Sequence, residues 1–87
     1  MLQNPGLDES EKLRTCFAAA LRRRRAIAAI SQDELAARSG LEQSYISLLE
    51  RGIRVPGLDV FMRLSRSFGI KPTTFLSEIQ RACESDN

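Results

Sequence analysis

Apolar residues recur every three or four positions along most of this sequence, which is the spacing of an amphipathic α-helix. Near the start, the repeating positions are Leu13, Phe17 and Leu21. The spacing and the helix-ending signals predict a first helix over about 11–29, a fourth over about 58–68 and a fifth over about 72–83. With the two short helices described next, the predicted fold is all-α, with five helices in one domain.

Residues 31–51 read SQDELAARSGLEQSYISLLER and predict two short helices joined by a turn. Ser31 and Glu34 form a capping-box pattern, in which the hydroxyl bonds a free amide of the first turn and the carboxylate reaches back to the Ser31 amide. Gly40 suits the left-handed turn that ends the first of these helices. The second is predicted over about 42–51. A helix-turn-helix places this second helix in the major groove of DNA.

The same stretch resembles the phage-repressor (Cro/C1, or XRE) helix-turn-helix family. The residues that carry the resemblance are Ser31, Gln32, Leu35, Ala36, Gly40, Leu41, Tyr45, Ile46, Ser47, Leu49, Glu50, Arg51, Gly52, Arg54, Pro56 and residues 64–70. The resemblance covers roughly residues 17–79. Within the family, the sequence around residues 45–52 is most similar to that of restriction-modification controller proteins. The resemblance implies a compact repressor-like domain that binds double-stranded DNA.

The resemblance assigns one set of residues to the reading of bases: Glu42, Gln43, Ser44, Ser47 and Leu48. The Gln43 amide can offer a donor and an acceptor to adenine. Glu42 replaces the family's usual Ser or Thr and could accept a hydrogen bond from cytosine, while Leu48 could touch a thymine methyl group. The alternative is that these residues are simply the exposed polar start of a helix.

A second set is expected to hold the DNA backbone: Gln32, Arg38, Tyr45, Arg51 and Arg54, together with Arg22 and Arg23. Gln32 could instead be an ordinary polar residue of a first helical turn. Tyr45 could simply pack its ring against the domain.

Arg22 to Arg25 surround the first helix on all sides, so the four arginines cannot share one role. The resemblance implies that Arg25 pairs with Glu50 of the recognition helix in a structural ion pair. The alternative is two separate surface residues. Arg24 stands where similar sequences are usually apolar, so its stem could cover the core while its head reaches solvent.

The charge is concentrated in the middle of the chain. The 87 residues carry a net charge of +2, yet residues 12–66 hold 11 basic and 5 acidic side chains. Arg outnumbers Lys by 11 to 2, and the guanidinium fork can bond two phosphate oxygens at once. A solvated charged surface would account for this composition, but beside a helix-turn-helix it favours a nucleic-acid partner.

Composition also excludes several kinds of chemistry. The sequence contains no histidine, which removes the usual general base and the commonest metal ligand, so we expect no catalysis, no metal and no cofactor. Cys16 and Cys83 lack metal-ligand spacing and are expected to be two small, reduced, partly buried residues. The sequence shows neither a signal peptide nor a long apolar run, which predicts a cytoplasmic protein with no membrane contact.

The N-terminal and C-terminal segments of the sequence show fewer recognisable motifs. Residues 1–10 predict a flexible tail, residues 11–83 the helix-turn-helix domain and residues 84–87 a frayed end. On the fifth helix we expect one of three apolar residues to close the core and the others to form a homodimer interface; these residues are Phe75, Leu76 and Ile79. The alternative is that this helix only covers the monomer.

The sequence therefore predicts a transcriptional regulator that binds a palindromic operator as a homodimer. A regulator of the controller kind would act at its own promoter and could contact RNA polymerase. Two alternatives remain. One is the antitoxin of a toxin–antitoxin pair, which binds a protein as well as DNA. The other is a helix-turn-helix used only as a protein-interaction module.

Overall fold

A computed structural model describes residues 9–85, which form five α-helices and no strand. The helices are α1 (Glu9–Ala28), α2 (Gln32–Ser39), α3 (Gln43–Glu50), α4 (Leu58–Ser67) and α5 (Pro72–Glu84). The predicted all-α fold is thus confirmed. Helix α1 begins two residues earlier than predicted, and Glu84 belongs to α5. The predictions for the tail at 1–8 and for residues 86–87 lie outside the described residues.

Local sequence sets both ends of α2. The Glu34 amide donates to the Ser31 hydroxyl at 3.0 Å, and the Ser31 amide donates to the Glu34 carboxylate at 3.1 Å. Both bonds of the predicted capping box are therefore present. At the other end, Gly40 adopts a left-handed backbone with φ of +71°, and its amide bonds the Ala36 carbonyl. A side chain at this φ would be strained, so glycine permits the short turn before α3.

Helices α1, α4 and α5 meet around the ring of Phe75, which is fully buried. The Phe61 ring stacks on it with centroids 5.3 Å apart, and the Phe17 and Phe68 rings lie within 5.8 and 6.0 Å. Ile79 is also buried in this core. The predicted association surface on α5 is therefore wrong for Phe75 and Ile79, because the monomer already covers both; Leu76 remains 55% exposed.

Besides the Phe17–Phe75 ring contact, an ion pair and a disulfide join α1 to α5. Arg24 forms a double hydrogen bond with Glu78, in which the Arg24 Nε lies 2.8 Å from Oε1 and the second guanidinium nitrogen bonds Oε2. Cys16 and Cys83 form a disulfide whose Cα atoms are 5.1 Å apart. The prediction of two reduced thiols is corrected here, because helix packing brings together two residues separated by 67 positions in sequence.

None of the five helices within residues 9–85 is both long and apolar enough to cross a lipid bilayer. In the same range, no group of three or more potential ligands among His, Cys, Asp and Glu is placed to hold a metal ion.

Candidate nucleic-acid interface

Helix α3 presents one apolar side to the core and one polar side to solvent. Ile46 and Leu49 are fully buried, and α3 packs on both α1 and α2. Gln43 and Ser44 are exposed in its first turn. One turn further on, Ser47 and Leu48 are half-buried. The residues predicted to read bases therefore remain accessible to different degrees while α3 is anchored by its other side.

Glu42 is the residue that precedes α3, with an extended backbone at φ −85° and ψ 146°. Its exposed side chain makes no capping hydrogen bond to the first turn. A carboxylate at a helix N-terminus is favoured by the helix dipole. Glu42 is consequently placed beside Gln43 and Ser44 with its oxygens available, as the prediction of a base-reading role requires.

A chain of hydrogen bonds connects the first turn of α3 to its last residue through α2. Gln43 Nε2 donates to Gln32 Oε1 at 2.5 Å, and Gln32 Nε2 donates to Glu50 Oε1 at 2.9 Å. Gln32 is therefore more than a solvated first-turn residue, because its amide group bonds both other members. This arrangement orients the exposed Gln43 side chain before any ligand arrives.

The predicted ion pair between Arg25 and Glu50 closes the chain at its far end. Arg25 Nε lies 2.6 Å from Glu50 Oε2, and a terminal guanidinium nitrogen lies 2.9 Å from Oε1. Arg25 also donates to the Ile30 carbonyl at 3.1 Å. This fork-to-fork geometry is the strong form of an arginine–carboxylate contact. It ties the end of α1 to the end of α3.

The surroundings of Glu50 act on its pKa in opposite directions. Burial alone would raise the pKa, since this side chain is only 5% exposed. Hydrogen bonds from Arg25 and Gln32 favour the charged form and outweigh burial, so the pKa lies below the ordinary glutamate value. In turn, hydrogen bonding to Glu50 raises the pKa of Arg25.

Stability is expected to fall in acid because both paired glutamates have lowered pKa values. For Glu78 the main cause is the hydrogen bond from Arg24. A carboxylate with a lowered folded pKa stabilises fully above its unfolded pKa of about 4.3 and loses this contribution as pH falls through the folded value. Urea unfolding followed from about pH 7 to pH 3 tests this. The double variant Glu50→Gln/Glu78→Gln should show a weaker pH dependence, and equal slopes for variant and parent would contradict the assignment.

The loop after α3 carries two of the predicted backbone contacts. Arg51 and Arg54 are both exposed, at the end of α3 and within the loop. Gly52 between them has φ of +74°, and a Cβ there would lie 3.7 Å from the Arg14 carbonyl oxygen, so the loop turns closely against α1. Tyr45 of α3 is half-buried and packs against the core, which both of its predicted roles allow.

The structure gives the two α1 arginines of this set different surroundings. Arg22 donates from its guanidinium group to the Glu50 main-chain carbonyl at 2.6 Å, so it caps the end of α3 while its side chain stays largely exposed. Arg23 lines a groove between α1 and α5 with Glu78 and Arg81. None of the residues that line this groove belongs to α3.

Arg38 also lies apart from the other residues of the predicted site. It lines a pocket with Arg63 and Arg66, and no residue of α3 or of the following loop contributes to that pocket. Arg38 occupies the last turn of α2, whereas Gln32 at the other end of the same helix meets Gln43. The structure thus separates Arg38 from the set that includes Gln32.

Sequence reasoning missed two groupings of charged side chains. The partner of Arg24 is Glu78, and the only available signal was an arginine at a position that similar sequences fill with an apolar residue. The grouping of Arg38 with Arg63 and Arg66 had no signal in the sequence, because two helices separated by α3 supply them.

A short α2–turn–α3 unit with an exposed polar face on α3 and arginines beside it defines a helix-turn-helix domain of the DNA-binding class. The comparison with known families agrees. The chain belongs to the helix-turn-helix family HTH_3, whose sequence profile matches residues 21–75. The resemblance inferred from the motif is thereby confirmed.

A curated relative is the uncharacterized HTH-type transcriptional regulator y4dL of Sinorhizobium fredii (strain NBRC 101917 / NGR234), which is 45% identical over 51 residues. That match covers 59% of this chain and 26% of the relative, so the chain spans about a quarter of that protein's length.

Solved structures show the same fold. The restriction-modification controller protein C.AhdI from Aeromonas hydrophila is 34% identical, with a TM-score of 0.68 over 71% of this chain and 94% of that one. The clp gene regulator ClgR from Corynebacterium glutamicum is 28% identical, with a TM-score of 0.80 over 85% of this chain and 79% of that one. The five-helix architecture is therefore that of helix-turn-helix regulators.

Proposed function

We propose that this protein binds a specific double-stranded DNA sequence as a homodimer and regulates transcription, including that of its own promoter. The observation that carries the proposal is the exposed first turn of α3, where Gln43 is held by Gln32 and Gln32 by the paired Glu50. Pre-orienting a base-reading amide lowers the entropy lost on binding. The likeness to the restriction-modification controller protein C.AhdI supports a regulatory role.

The surroundings of α3 supply what backbone contacts need. Arg51 and Arg54 are exposed next to its C-terminus, and Arg22 lies against the carbonyl of its last residue. Phosphate contacts of this kind position a protein on DNA, whereas base edges supply sequence preference. We therefore assign base reading to the first turn of α3, with Ser47 and Leu48 at its margin, and backbone contact to Arg51 and Arg54.

The surface that fits a homodimer is the α4 apolar patch, which we define as Ile53, Val55, Leu58 and Met62. All four are exposed, and Leu58 is 76% exposed. Leu58 and Met62 are one helical turn apart and so share a face of α4. The loop between α3 and α4 carries the other two, so a two-fold contact here would bring two copies of that loop together beside the recognition helices. Symmetric contact of this type suits a palindromic site.

Replacing Gln43 with alanine tests the base-reading assignment. The variant should lose about 1–3 kcal/mol of binding free energy at one base position and relax the preference there, because the amide no longer bonds that base edge. Sites selected from random DNA, followed by binding measurements on single-base variants of the selected site, would show this. Gln80→Ala is the control, because it removes the same kind of side chain from an exposed position on α5. It should leave the base preference unchanged. An equal loss on every sequence would mean that Gln43 reads no base.

Arg54→Ala tests the assignment of a backbone contact, and here we expect weaker binding without a change in base preference. Losing a phosphate contact should weaken binding to all sequences alike. It should also make the slope of log K against log salt concentration less steep, by about the contribution of one released counterion. Titrations at several salt concentrations measure the slope. An unchanged slope with altered sequence preference would reverse the two assignments.

A further inference from the structure

A pocket of about 510 Å³ lies between the C-terminal ends of α2 and α4. Its charged lining consists of Arg38, Arg63 and Arg66, and its remaining residues are Ala37, Ser39, Gly40 and Ser67. All three arginines are exposed. The small neighbouring side chains leave the guanidinium groups accessible from solvent.

The three arginines have no carboxylate partner among residues 9–85, where the ion pairs involve Arg24 and Arg25. Arg63 and Arg66 are three residues apart on α4, so they face the same side and repel each other. The fold then adds Arg38 from α2 to this pair. Water screens much of this repulsion because all three side chains are exposed, and a bound anion would remove the rest.

The two helix ends compensate only part of this charge. The Arg63 guanidinium lies 3.9 Å from the position that a Cβ on Gly40 would take, at the C-terminal cap of α2. Each helix C-terminus contributes about −0.5 of an elementary charge. Glu34 and Asp59 lie one turn before Arg38 and Arg63 and reduce the local charge further, but neither forms an ion pair with these arginines. The hydroxyl of Ser39 donates to the Leu35 carbonyl and that of Ser67 to the Arg63 carbonyl, so neither adds a donor.

We propose that this pocket binds a small molecule through a phosphate or diphosphate group. A phosphate monoester carries about −1.5 to −2 charges at pH 7 and would be attracted by the three guanidinium groups. Guanidinium groups from two helices can bond its oxygens in pairs. No α3 residue and no residue of the α3–α4 loop lines the pocket, so this site is separate from the proposed DNA interface. The protein would thus have a second anion site for a diffusible ligand.

Titration with inorganic pyrophosphate in phosphate-free buffer tests the proposal. We expect saturable binding of one pyrophosphate per chain by calorimetry, with amide NMR shifts at residues 37–40 and 63–67. The double variant Arg63→Ala/Arg66→Ala should bind at least about tenfold more weakly, since it removes two of the three charge-assisted donors. Circular dichroism should show that the variant keeps its helices, because both side chains are exposed.

The matched control is Arg51→Ala/Arg54→Ala, which removes the same charge from the other basic surface. It should bind pyrophosphate like the parent. An equal loss in both double variants would show general attraction to positive charge, and the pocket assignment would then be wrong. Absence of saturation in the parent would also overturn it. Tighter binding of a glutamate-rich peptide, or complete competition by double-stranded DNA, would assign the pocket to a macromolecule instead.

Discussion

Arg25→Ala should lower the free energy of unfolding by about 3 kcal/mol, the lower end of the range for breaking a buried pair. The Glu50 carboxylate would remain buried with only Gln32 bonded to its oxygens. Glu50→Gln should cost less, because the Arg25 side chain is already 25% exposed and can reach water. Arg25→Ala should therefore cost more than Glu50→Gln, because it leaves the more deeply buried charge without its partner. Urea unfolding at neutral pH measures both.

A double-mutant cycle isolates the interaction from the loss of packing. Combining Arg25→Ala with Glu50→Gln should restore part of the stability lost in Arg25→Ala, because no buried charge is then left unpaired. Arg54→Ala serves as a control and should change stability by less than about 0.5 kcal/mol, because Arg54 is exposed and has no ion-pair partner among residues 9–85. A coupling energy under about 1 kcal/mol would mean that the two residues behave as an ordinary surface pair.

Ile79→Glu should unfold the protein, whereas Leu58→Glu should keep it folded but monomeric. Ile79 is buried in the core around Phe75, so a carboxylate there should cost about 4 kcal/mol or more, a large part of a small domain's stability. Leu58 is 76% exposed, and a charge on it should change monomer stability by about 0.5 kcal/mol or less. Circular dichroism and analytical ultracentrifugation distinguish the two outcomes.

The same experiment tests the proposed dimer. If the α4 apolar patch is the interface, Leu58→Glu should sediment as a monomer and bind the selected palindrome much more weakly. Leu76→Glu places the same charge at an exposed position of α5 and should leave the dimer intact. A dimer that persists in Leu58→Glu and dissociates in Leu76→Glu would assign the interface to α5.

The local features of the helix-turn-helix could be predicted because short-range chemistry determines them. Ser31 and Glu34 form the α2 cap within one turn, and Gly40 adopts the left-handed backbone that its lack of a side chain permits. Arg25 and Glu50 are far apart in sequence, and their pairing was accessible only through the family spacing. The structure shows the contact that this spacing implied.

Contacts between α1 and α5 could not be predicted, because they depend on the relative rotation of two packed helices. Four consecutive arginines point in every direction around α1, so the sequence does not reveal that Arg24 meets Glu78 and Arg22 meets α3. The disulfide depends on the same packing. On α5, helical spacing placed Phe75 and Ile79 on an apolar side without showing that α1 and α4 already cover it.

The packing of the first helix against the last has a consequence for the order of events during synthesis. The Phe17–Phe75 ring contact, the Arg24–Glu78 pair and the Cys16–Cys83 bridge all require α5. A ribosome adding about 5–20 residues per second needs several seconds to travel from the end of α1 to the end of α5. During that interval the apolar side of α1 lacks its main partner. A nascent chain paused before α5 should therefore be open to proteases and chaperones even though the complete helix-turn-helix has already been translated.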